Sequence, residues 1–416
     1  MTRDGFDAVA CTVCGCVCDD LRVTSDGARV LRAERSCHLS ESWFLAQRGG
    51  QQPAAWVGDQ PAAVADAVAR AAELLRAARR PLVFGLSRST TAGQRAAVAL
   101  ADRLGAVIDT TASTGHAPSI VALQQVGEST CTLGEVRERA DLVLFWGCDP
   151  VTTHPRHLER YVSPEAGLVA VDAHETATAR QAGRWLRVTP GRDWECLWTL
   201  RQLVAGVEPR ADADGGASLD ELRTLAARML AARFGVVFFG GGLVKLPLAH
   251  HTVEALLQLV TDLNRHTRFY ARRLRRTGDV AGADSVLAWQ TGFPFGVDLS
   301  RGYPRYNPGE FTAPHLLARG EADAVLLVGS DAVADLPPAA RAHLGRVPVV
   351  AVDPPGVAFP GAAVRVTTAV YGVHRPGTAY RLDEVPIPLR PILPTNLPDD
   401  GEVLGAILAA VGTPAA

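Results

Sequence analysis

The sequence of 416 residues lacks a long apolar run, a signal-like start and a large net charge of either sign. With 42 Lys+Arg and 44 Asp+Glu, its formal charge is −2 at pH 7, and it has no basic excess for nucleic acid or an anionic membrane. Apolar stretches such as 235–244 are far shorter than the roughly 20 residues of a membrane-spanning helix. The first ten residues contain no apolar region typical of a signal peptide. We therefore expect a folded cytoplasmic protein that binds neither nucleic acid nor membrane.

Cysteine is scarce except near the N-terminus, where five of the eight cysteines lie in the first 37 residues. Cys11, Cys14 and Cys18 form a C-x2-C-x3-C pattern, and Cys37 follows nineteen positions later. In a reducing compartment such a group indicates metal or cluster ligation before disulfides. Three thiolates from a tight loop and a distant fourth match four-cysteine ligation of an iron–sulfur cluster. Cys16 is a spare thiol within the loop.

The segment that follows the loop predicts how the fourth thiol returns to it. Residues 21–23 and 28–32 are short β runs on either side of a Ser-Asp-Gly turn, which is typical of a β-hairpin. A hairpin would bring Cys37 back beside the loop. Zinc is the competing metal, because four thiolates in a small β unit also describe a zinc ribbon. In a third interpretation the cysteines bind no metal at all.

From residue 60 onward, short apolar runs alternate with helical patterns. The apolar runs lie at 81–85, 106–109, 141–147, 168–172 and 185–189. Helix-like periodicity separates or follows them. Continuous apolar strands that alternate with helices predict a parallel sheet covered on both faces. The predicted fold class is therefore α/β.

The same pattern occurs twice along the chain. Residues 140–149 align with 322–331, and 169–172 align with 350–353 at nearly the same offset. We therefore predict two duplicated Rossmann-like halves with parallel sheets, preceded by a small β domain that carries the cysteines. The predicted domains are an N-terminal iron–sulfur-type domain at 1–55, a first α/β domain at 56–207, a second α/β domain at 217–375 and a C-terminal segment at 376–416.

Each predicted half ends two of its strands in an aspartate. Asp149 and Asp331 occupy equivalent Gly-x-Asp positions, and Asp172 and Asp353 end Val-Asp strands. Open parallel sheets bind ligands at the carboxyl ends of their strands, where an acidic residue often holds a ribose. The four aspartates are therefore candidate cofactor-binding residues for two nucleotide-like ligands. In the alternative interpretation each aspartate only caps a helix or a turn.

Several motifs make the chain resemble the B subunits of formylmethanofuran dehydrogenase, a family of molybdopterin oxidoreductases. They are the cysteine pattern at 11–20 and the stretches 145–157, 289–310 and 377–383. The resemblance covers nearly the whole chain. It implies two Rossmann-like halves of molybdopterin-oxidoreductase type and a 4Fe-4S cluster on the four predicted cysteine ligands. It also implies a molybdopterin guanine dinucleotide that carries molybdenum or tungsten.

One position departs from the family pattern. The resemblance implies that active members bind the metal through a cysteine or selenocysteine in a Cys-His-Gly-Pro-Ser-type segment, where residues 115–119 here read Gly-His-Ala-Pro-Ser. Gly115 offers no thiolate, and soft thiolate donation helps to set the affinity and potential of such a centre. We therefore expect the Mo/W pterin to be absent and His116 to be a vestigial catalytic residue. Cys131 and Cys148 are the alternative thiols.

Loss of this ligand is a feature of the bacterial relative, the B subunit of the formyltransferase/hydrolase complex. The resemblance then implies tetrahydromethanopterin-linked one-carbon metabolism, with a methanofuran analogue as formyl carrier. The chemistry would lie in partner subunits: an amidohydrolase-like A subunit, a formyltransferase D subunit and its companion C. The B subunit would be a scaffold.

The first alternative is an active formylmethanofuran dehydrogenase subunit that interconverts CO2 or formate and formylmethanofuran on a molybdopterin cofactor. The second is an unrelated dithiolene or nucleotide enzyme.

Two further segments carry expectations of their own. The arginines at 272–276 could face phosphates or a polyglutamate, but we favour a solvated or interface loop. We likewise expect His154 and His157 at the solvent or at helix caps. The stretch 289–310 combines aromatic residues with Gly, Pro and Arg, a composition typical of interface anchors, so we expect it to contact a partner subunit.

Overall fold

The structure is a computed structural model that describes residues 4–50, 54–209 and 215–412. Its strands are β1 (Asp4–Val9), β2 (Leu21–Ser25), β3 (Val30–Glu34), β4 (Ala55–Val57), β5 (Gln60–Ala62), β6 (Pro81–Gly85), β7 (Val107–Thr110), β8 (Leu142–Trp146), β9 (Gly167–Asp172), β10 (Arg184–Arg187), β11 (Gly235–Phe239), β12 (Phe269–Arg273), β13 (Val297–Asp298), β14 (Arg305–Tyr306), β15 (Ala324–Val328), β16 (Val349–Asp353), β17 (Val364–Thr367), β18 (Gly377–Tyr380) and β19 (Pro386–Leu389).

Its helices are α1 (His38–Leu45), α2 (Val64–Ala77), α3 (Thr91–Leu104), α4 (Ala112–Gly115), α5 (Ala117–Val126), α6 (Leu133–Arg139), α7 (Pro150–Thr153), α8 (His157–Tyr161), α9 (Ala177–Gln181), α10 (Asp193–Val204), α11 (Leu219–Ala231), α12 (Gly241–Val244), α13 (Ala249–Leu263), α14 (Val280–Thr291), α15 (Pro308–Phe311), α16 (Ala313–Ala318), α17 (Pro338–Leu344) and α18 (Asp400–Gly412), with a 3-10 helix at Ser330–Asp335. Within the described ranges, no helix is both long and apolar enough to span a membrane.

The chain forms two compact units. The first comprises the described residues of 1–114 and 277–416, and the second comprises residues 115–276. The first unit holds a nine-stranded sheet in the order β14-β13-β7-β6-β15-β16-β17-β4-β5, and the second holds a five-stranded sheet in the order β10-β9-β8-β11-β12. The first unit also contains the three-stranded sheet β1-β2-β3 and the hairpin β18-β19.

The five central strands of the first sheet, from β7 to β17, are parallel, and antiparallel strands extend the sheet on both edges. Strand β15 sends Leu326 into one buried cluster and Val325 and Leu327 into another. Because alternate side chains of a strand point to opposite faces, both faces of the sheet are covered. The predicted α/β class with parallel sheets is confirmed.

All neighbouring strands of the second sheet are parallel. Leu144 and Trp146 of β8 pack with β11 and with helices α10, α11 and α13 in one buried cluster. Phe145 of β8 and Phe238 of β11 have the opposite side-chain parity, and their rings stack at 5.5 Å. The apolar runs that the sequence identified as buried strands are therefore strands here as well.

An aspartate fixes the beginning of the central strand pair in each unit. Asp323 directly precedes β15 and accepts the N–H of Arg79, just ahead of β6, at 2.9 Å. Asp141 directly precedes β8 and accepts the N–H of Phe234, just ahead of β11, at 3.1 Å. These two aspartates occupy equivalent positions of the sequence repeat. Each sheet therefore sets the register of its central pair by the same hydrogen bonds.

The two units differ from the predicted domains. Predicted domain 56–207 contributes β6 and β7 to the nine-stranded sheet but β8, β9 and β10 to the five-stranded sheet, and domain 217–375 is divided in the same way. The reason is that β6 pairs with β15 and β11 pairs with β8, so the opening strands of each half join strands of the other half. Between the two predicted domains, residues 210–214 lie outside the described part of the chain.

Asp109 on β7 holds the segment that carries the most distinctive sequence motif. Its carboxylate is fully buried and accepts the N–H of Gly296 at 2.9 Å and the N–H of Ala313 at 2.6 Å. These bonds fix both ends of the segment that contains β13, β14 and α15. Burial raises the pKa of Asp109 to about 7, although the backbone N–H groups oppose the rise.

The contribution of Asp109 to stability should therefore fall as the pH rises from about 4 to about 7. In this window the unfolded chain releases the Asp109 proton near its ordinary pKa, whereas the folded chain keeps it, which costs up to about 1.4 kcal/mol per pH unit. Asp109→Asn should flatten this slope, measured by urea unfolding at pH 5, 6 and 7, while the exposed control Asp59→Asn should leave it unchanged. Equal slopes for Asp109→Asn and the parent would contradict the assignment.

Candidate functional site

The cysteine loop connects β1 to β2 and closes on itself. The N–H of Cys11 donates to the carbonyl of Cys18 at 2.8 Å, and the N–H of Val17 donates to the carbonyl of Cys14 at 3.2 Å. Val17 has a φ of +37°, a conformation that β-branched residues rarely adopt. The four cysteines of the loop are all buried. This local geometry is the tight turn that the cysteine spacing predicts.

Cys37 follows the predicted hairpin, which is present as the antiparallel pair β2-β3. It is the N-cap of α1, and its N–H donates to Ser40 Oγ at 3.0 Å. Burial raises the pKa of the Cys11 thiol well above its usual value, and the charges of Cys14, Cys18 and Cys37 raise it further. The four predicted ligands are therefore close enough to influence one another electrostatically.

The loop also contains Cys16, the thiol that is not among the four predicted ligands. A hydrogen bond with Cys16 lowers the pKa of Cys14, and the nearby guanidinium of Arg88 lowers it further. Over the described ranges, no group of three or more His, Cys, Asp or Glu side chains is arranged to hold a metal ion. The thiol chemistry fits iron or zinc, but the side chains do not surround a common centre in this structure. Cluster ligation stays a prediction.

The segment that would carry the metal ligand forms a break between two short helices. Gly115 ends α4, and His116 is the N-cap of α5 with its residue buried. The carbonyl of His116 accepts the N–H of Ser119 at 2.9 Å and its hydroxyl at 2.7 Å. A Cβ added at Gly115 would meet no atom within 4 Å among the described residues. The backbone therefore has room for a side chain at the position where the sequence has none.

The two predicted aspartates of the first unit play different parts. Asp353 accepts the N–H of Ser330 at 2.6 Å and its hydroxyl at 2.8 Å, and burial raises the pKa of Asp353 to about 6. Asp331 accepts from Arg88 Nε at 2.9 Å through Oδ2, whereas its buried Oδ1 has no hydrogen-bond partner in the described part of the chain. Asp353 thus supports the turn after β15, and Asp331 keeps an acceptor for a ligand.

Arg88 joins this sheet edge to the cysteine loop. It follows β6, pairs with Asp331, and donates to the carbonyl of Thr12 at 3.4 Å. Beside it lies a cavity of about 310 Å³. The cavity is lined by Thr12, Trp43, Ala46, Gln47, Arg48, Arg88, Pro354, Pro355, Gly356, Val357, Val370, Tyr371 and His374. Its position at the carboxyl ends of β6 and β16 is where parallel sheets bind ligands, and its volume is at the lower end of ligand pockets.

A histidine in this cavity has a defined protonation state. His374 Nδ1 accepts the N–H of Val370 at 3.1 Å, and Nε2 donates to the carbonyl of Arg48 at 2.8 Å. Burial lowers the pKa of His374, so the ring is neutral near pH 7. The sequence prediction missed Arg88 and His374. Arg88 also follows a buried strand, so the signal that identified the aspartates could have identified this arginine as well.

In the second unit the two aspartates exchange these parts, because here the Gly-x-Asp residue is the one held by its own unit. Asp149 accepts the N–H of Thr178 at 2.9 Å and the hydroxyl of Thr152 at 2.6 Å. Burial opposes ionisation of Asp149, but these hydrogen bonds outweigh it and lower the pKa. Asp172 is half-buried, its pKa is raised by burial, and it accepts the N–H of His174 at 3.2 Å. Asp149 therefore connects α7 to α9 by hydrogen bonds. Asp172 accepts fewer of the hydrogen bonds named here than Asp149 does.

The arginine segment after β12 differs from its prediction. Arg272 and Arg275 are only 5% and 6% exposed, so the interpretation as a solvated loop is wrong for both. Arg272 donates to Thr130 Oγ1 at 2.6 Å. His154 and His157 are fully buried, which also contradicts a solvent role, and His154 Nε2 donates to the carbonyl of Arg275 at 2.8 Å. Burial lowers the pKa of His154 to about 4, so this neutral ring anchors the segment.

The aromatic stretch 289–310 is divided between the core and the surface. Phe295 is fully buried, and Phe293 stacks on Tyr306 at 4.9 Å, so these rings pack within the first unit. Trp289 and Tyr303 are 58% and 54% exposed. Among the aromatic side chains of the stretch, Trp289 and Tyr303 are therefore the two that are exposed for the partner contact that the composition predicts.

The fold is that of a class of α/β proteins that includes two solved structures. Acetylene hydratase from Pelobacter acetylenicus superposes with a TM-score of 0.72 over 98% of this chain and 69% of that chain, at 11% identity. A chain of the formyltransferase/hydrolase complex FhcABCD from Methylorubrum extorquens, crystallised with methylofuran, superposes with a TM-score of 0.71 at 27% identity. This second match covers 86% of this chain and 98% of that chain.

The sequence narrows this class to one family. The B subunit of the tungsten-containing formylmethanofuran dehydrogenase 2 from Methanocaldococcus jannaschii is 37% identical over 97% of this chain and 98% of its own. The B subunit of the formyltransferase/hydrolase complex Fhc from Methylorubrum extorquens is 30% identical over 67% of this chain and 75% of its own. No protein-family model matches the sequence. The chain belongs to the family of formylmethanofuran dehydrogenase B subunits.

Two alanine variants distinguish Asp353, which supports its own turn, from Asp331, which pairs with Arg88 and keeps one acceptor. Asp353→Ala would leave the buried N–H and hydroxyl of Ser330 without an acceptor, and we expect a loss of about 2–4 kcal/mol in the free energy of unfolding. Asp331→Ala removes a partly exposed ion pair and should cost less than about 1 kcal/mol. Urea unfolding at pH 7.5 measures both, and equal losses would show that Asp353 has no special structural role.

Proposed function

We propose that the chain is the B subunit of a cytoplasmic formyltransferase/hydrolase complex in tetrahydromethanopterin-linked one-carbon metabolism, and that it acts there as a scaffold. The observation that carries this proposal is Gly115, which stands where the family resemblance implies the thiolate for molybdenum or tungsten. Because no atom lies within 4 Å of a Cβ built there, no described side chain replaces the thiolate at that point. His116 would then have no metal-centred reaction to assist.

The formyl chemistry would lie in partner subunits. We propose an amidohydrolase-like A subunit, a formyltransferase D subunit and its companion C as those partners. The relative from Methylorubrum extorquens belongs to a complex named FhcABCD and crystallised with methylofuran, which supports this choice. The exposed Trp289 and Tyr303 are the side chains of the family motif that we expect at a partner contact.

We further propose that Cys11, Cys14, Cys18 and Cys37 hold a 4Fe-4S cluster. This assignment is supported by the closed loop, by the burial of the loop thiols and by the electrostatic influence of the other three thiols on Cys11. When bound, such a cluster supplies one-electron transfer, and in a scaffold it also cross-links the loop to α1. Zinc on the same thiols is the competing assignment.

The residual acceptors fit a nucleotide-like ligand on each sheet. Asp331 and Asp172 would take ribose hydroxyls, since Asp353 and Asp149 are engaged by their own units. We propose that any such site is ancestral and that a pterin with molybdenum or tungsten is absent. The equal strand orders around β8 and β15 and the equivalent roles of Asp141 and Asp323 support a duplicated origin of the two halves.

An active formylmethanofuran dehydrogenase subunit is the second candidate. It is favoured by the relative that matches nearly the full length at 37% identity, because that relative is named as tungsten-containing. The Fhc relative is less similar and covers 67% of the chain. The metal content of the native protein separates the two candidates.

Iron and sulfide reconstitution tests the cysteine site. Under anaerobic conditions the chain should retain about four iron atoms and show visible charge-transfer absorption. Cys11→Ser should abolish both signals, whereas the matched control Cys16→Ser should keep them, because Cys16 is not among the four ligands. Loss of iron in both variants, or no iron in the parent, would sink the assignment, and stoichiometric zinc would favour the competing metal.

Metal analysis of the native complex tests the scaffold proposal. We expect no stoichiometric molybdenum, tungsten or pterin, and no reduction of viologen dyes with formylmethanofuran.

Gly115→Cys should fold with a stability within about 0.5 kcal/mol of the parent, because the Cβ of the new side chain has room. We expect this variant to bind neither molybdenum nor tungsten. Gly85→Cys is the contrast, since φ is +118° there and a Cβ would collide with the Val328 carbonyl oxygen, so this variant should fail to fold. Stoichiometric tungsten or molybdenum would contradict the scaffold proposal and favour the active dehydrogenase subunit.

A further inference from the structure

Three segments outside the cysteine loop hold its backbone. Each donates one hydrogen bond to a loop carbonyl: Arg88 to Thr12 at 3.4 Å, the N–H of Gly278 to Val13 at 3.5 Å, and the N–H of Leu382 to Gly15 at 2.8 Å. Ala10 and Val17 also pack in one buried cluster with side chains of the hairpin β18-β19. The position of the loop therefore depends on how these three segments are held together.

Asp279 connects all three segments. Its N–H donates at 2.9 Å to the carbonyl of Ser87, which directly precedes the arginine that reaches the loop. Asp279 itself directly follows Gly278. Its Oδ1 accepts the N–H of Tyr380 at 2.6 Å, at the end of β18, and so holds the hairpin near Leu382. One fully buried residue thus contacts or adjoins every segment that holds the loop.

Two glycines show how closely the segment around Asp279 approaches its partners. Gly278 has a φ of +42°, and a Cβ there would collide with the carbonyl oxygen of Ser87. The N–H of Gly282 donates to Asp279 Oδ1 at 3.0 Å and so caps α14. A Cβ at Gly282 would collide with both carboxylate oxygens. The close approach therefore requires glycine on either side of this aspartate.

A buried glutamine holds the second carboxylate oxygen. Gln94 Nε2 donates to Asp279 Oδ2 at 3.2 Å, and also to the carbonyls of Leu86 and Ser89 at 3.3 and 3.1 Å. Gln94 is fully buried, and its Oε1 has no hydrogen-bond partner among the described residues. Burial raises the pKa of Asp279 to about 7, and the charge of Asp284 adds to the rise. In its acid form the carboxyl can donate to Gln94 Oε1 after a half-turn of the amide.

We propose that Asp279 is a positioning residue of the cysteine loop, which holds together the three segments that fix the loop backbone and so keeps the thiols where a cluster would bind. The inference rests on the proposed function, because it takes the loop as the cluster site. In the competing interpretation Asp279 only caps α14. A cap needs a short side-chain acceptor, whereas positioning also needs the reach to Tyr380 and Gln94.

Alkylation of the thiols in the metal-free full chain is the first measurement. Asp279→Ser keeps a capping oxygen but is one atom shorter, so iodoacetamide should modify the loop thiols about tenfold faster than in the parent, or more. Cys131 and Cys196, which are buried in the second unit, should stay as protected as in the parent. Asp109→Ser is the matched control, because Asp109 is equally buried and accepts two backbone N–H groups of another segment. It should leave the loop thiols protected.

Asparagine gives a readout that a capping role would not move. Asp279→Asn offers its oxygen to the N–H groups of Tyr380 and Gly282, and its amide nitrogen can donate to Gln94 Oε1. The loop thiols should therefore react within about twofold of the parent rate. Serine and asparagine are both good N-caps, so a capping role predicts no difference between the two variants.

Gln94→Met keeps the test decisive if Asp279→Ser fails to fold. It removes one donor to Asp279 and leaves the cap and the bond from Tyr380 in place, so the loop thiols should react about two- to fivefold faster. After anaerobic reconstitution, loss of iron to a chelator should follow the same order. It should be slowest in the parent and Asp279→Asn, faster in Gln94→Met and fastest in Asp279→Ser.

The outcomes separate this inference from the proposed cluster. Equal alkylation of the loop in the parent, Asp279→Ser and Gln94→Met overturns the inference, while iron in the parent leaves the proposed cluster intact. Faster alkylation of both units alike in Asp279→Ser also overturns it, because Asp279 would then stabilise the chain as a whole. If the parent takes up no iron but the loop thiols follow the expected order, the proposed cluster fails and the positioning role stands.

Discussion

The pairing of β6 with β15 is the contact on which the first unit depends. It joins residues 81–85 to residues 324–328 at the centre of the nine-stranded sheet. Asp323 fixes its beginning, and at its end the backbone passes so close to the Val328 carbonyl that only glycine fits at position 85. The same pairing brings Arg88 beside Asp331, and so forms the wall of the cavity near the cysteine loop. The candidate site is thus a consequence of one long-range strand contact.

Much of the fold follows from local pattern in the sequence. The strands at 81–85, 235–239 and 324–328 are continuous apolar runs, and burial on both sheet faces explains why they show no alternation. The exchange of strands between the halves was not predictable in the same way. Because the two halves carry the same pattern, β6 is equally suited to β8 or β15, and only tertiary contacts select β15.

The sequence predicted which aspartates lie at the strand ends, but it did not predict which of them are engaged by their own unit. A carboxylate at a strand end can hold a ligand or bind its own turn, and the sequence alone does not separate Asp331 from Asp353. The difference comes from Ser330, whose N–H and hydroxyl both donate to Asp353. Burial of Arg272 and Arg275 was missed because charged residues in a short segment are usually solvated, and their contacts come from residues far away in sequence, such as Thr130.

The split of the first unit has a consequence for synthesis of the chain on the ribosome. Residues 115–276 form the second unit without interruption, so this unit can fold as soon as it emerges. Strand β6 must wait for its partner β15, which lies 243 residues later. At about 5–20 residues per second, β6 and β7 stay without their final neighbour for roughly 10–50 s. The nascent chain therefore exposes the apolar strand β6 and the apolar start of β7 for much of its synthesis, a state that a ribosome-associated chaperone would have to protect.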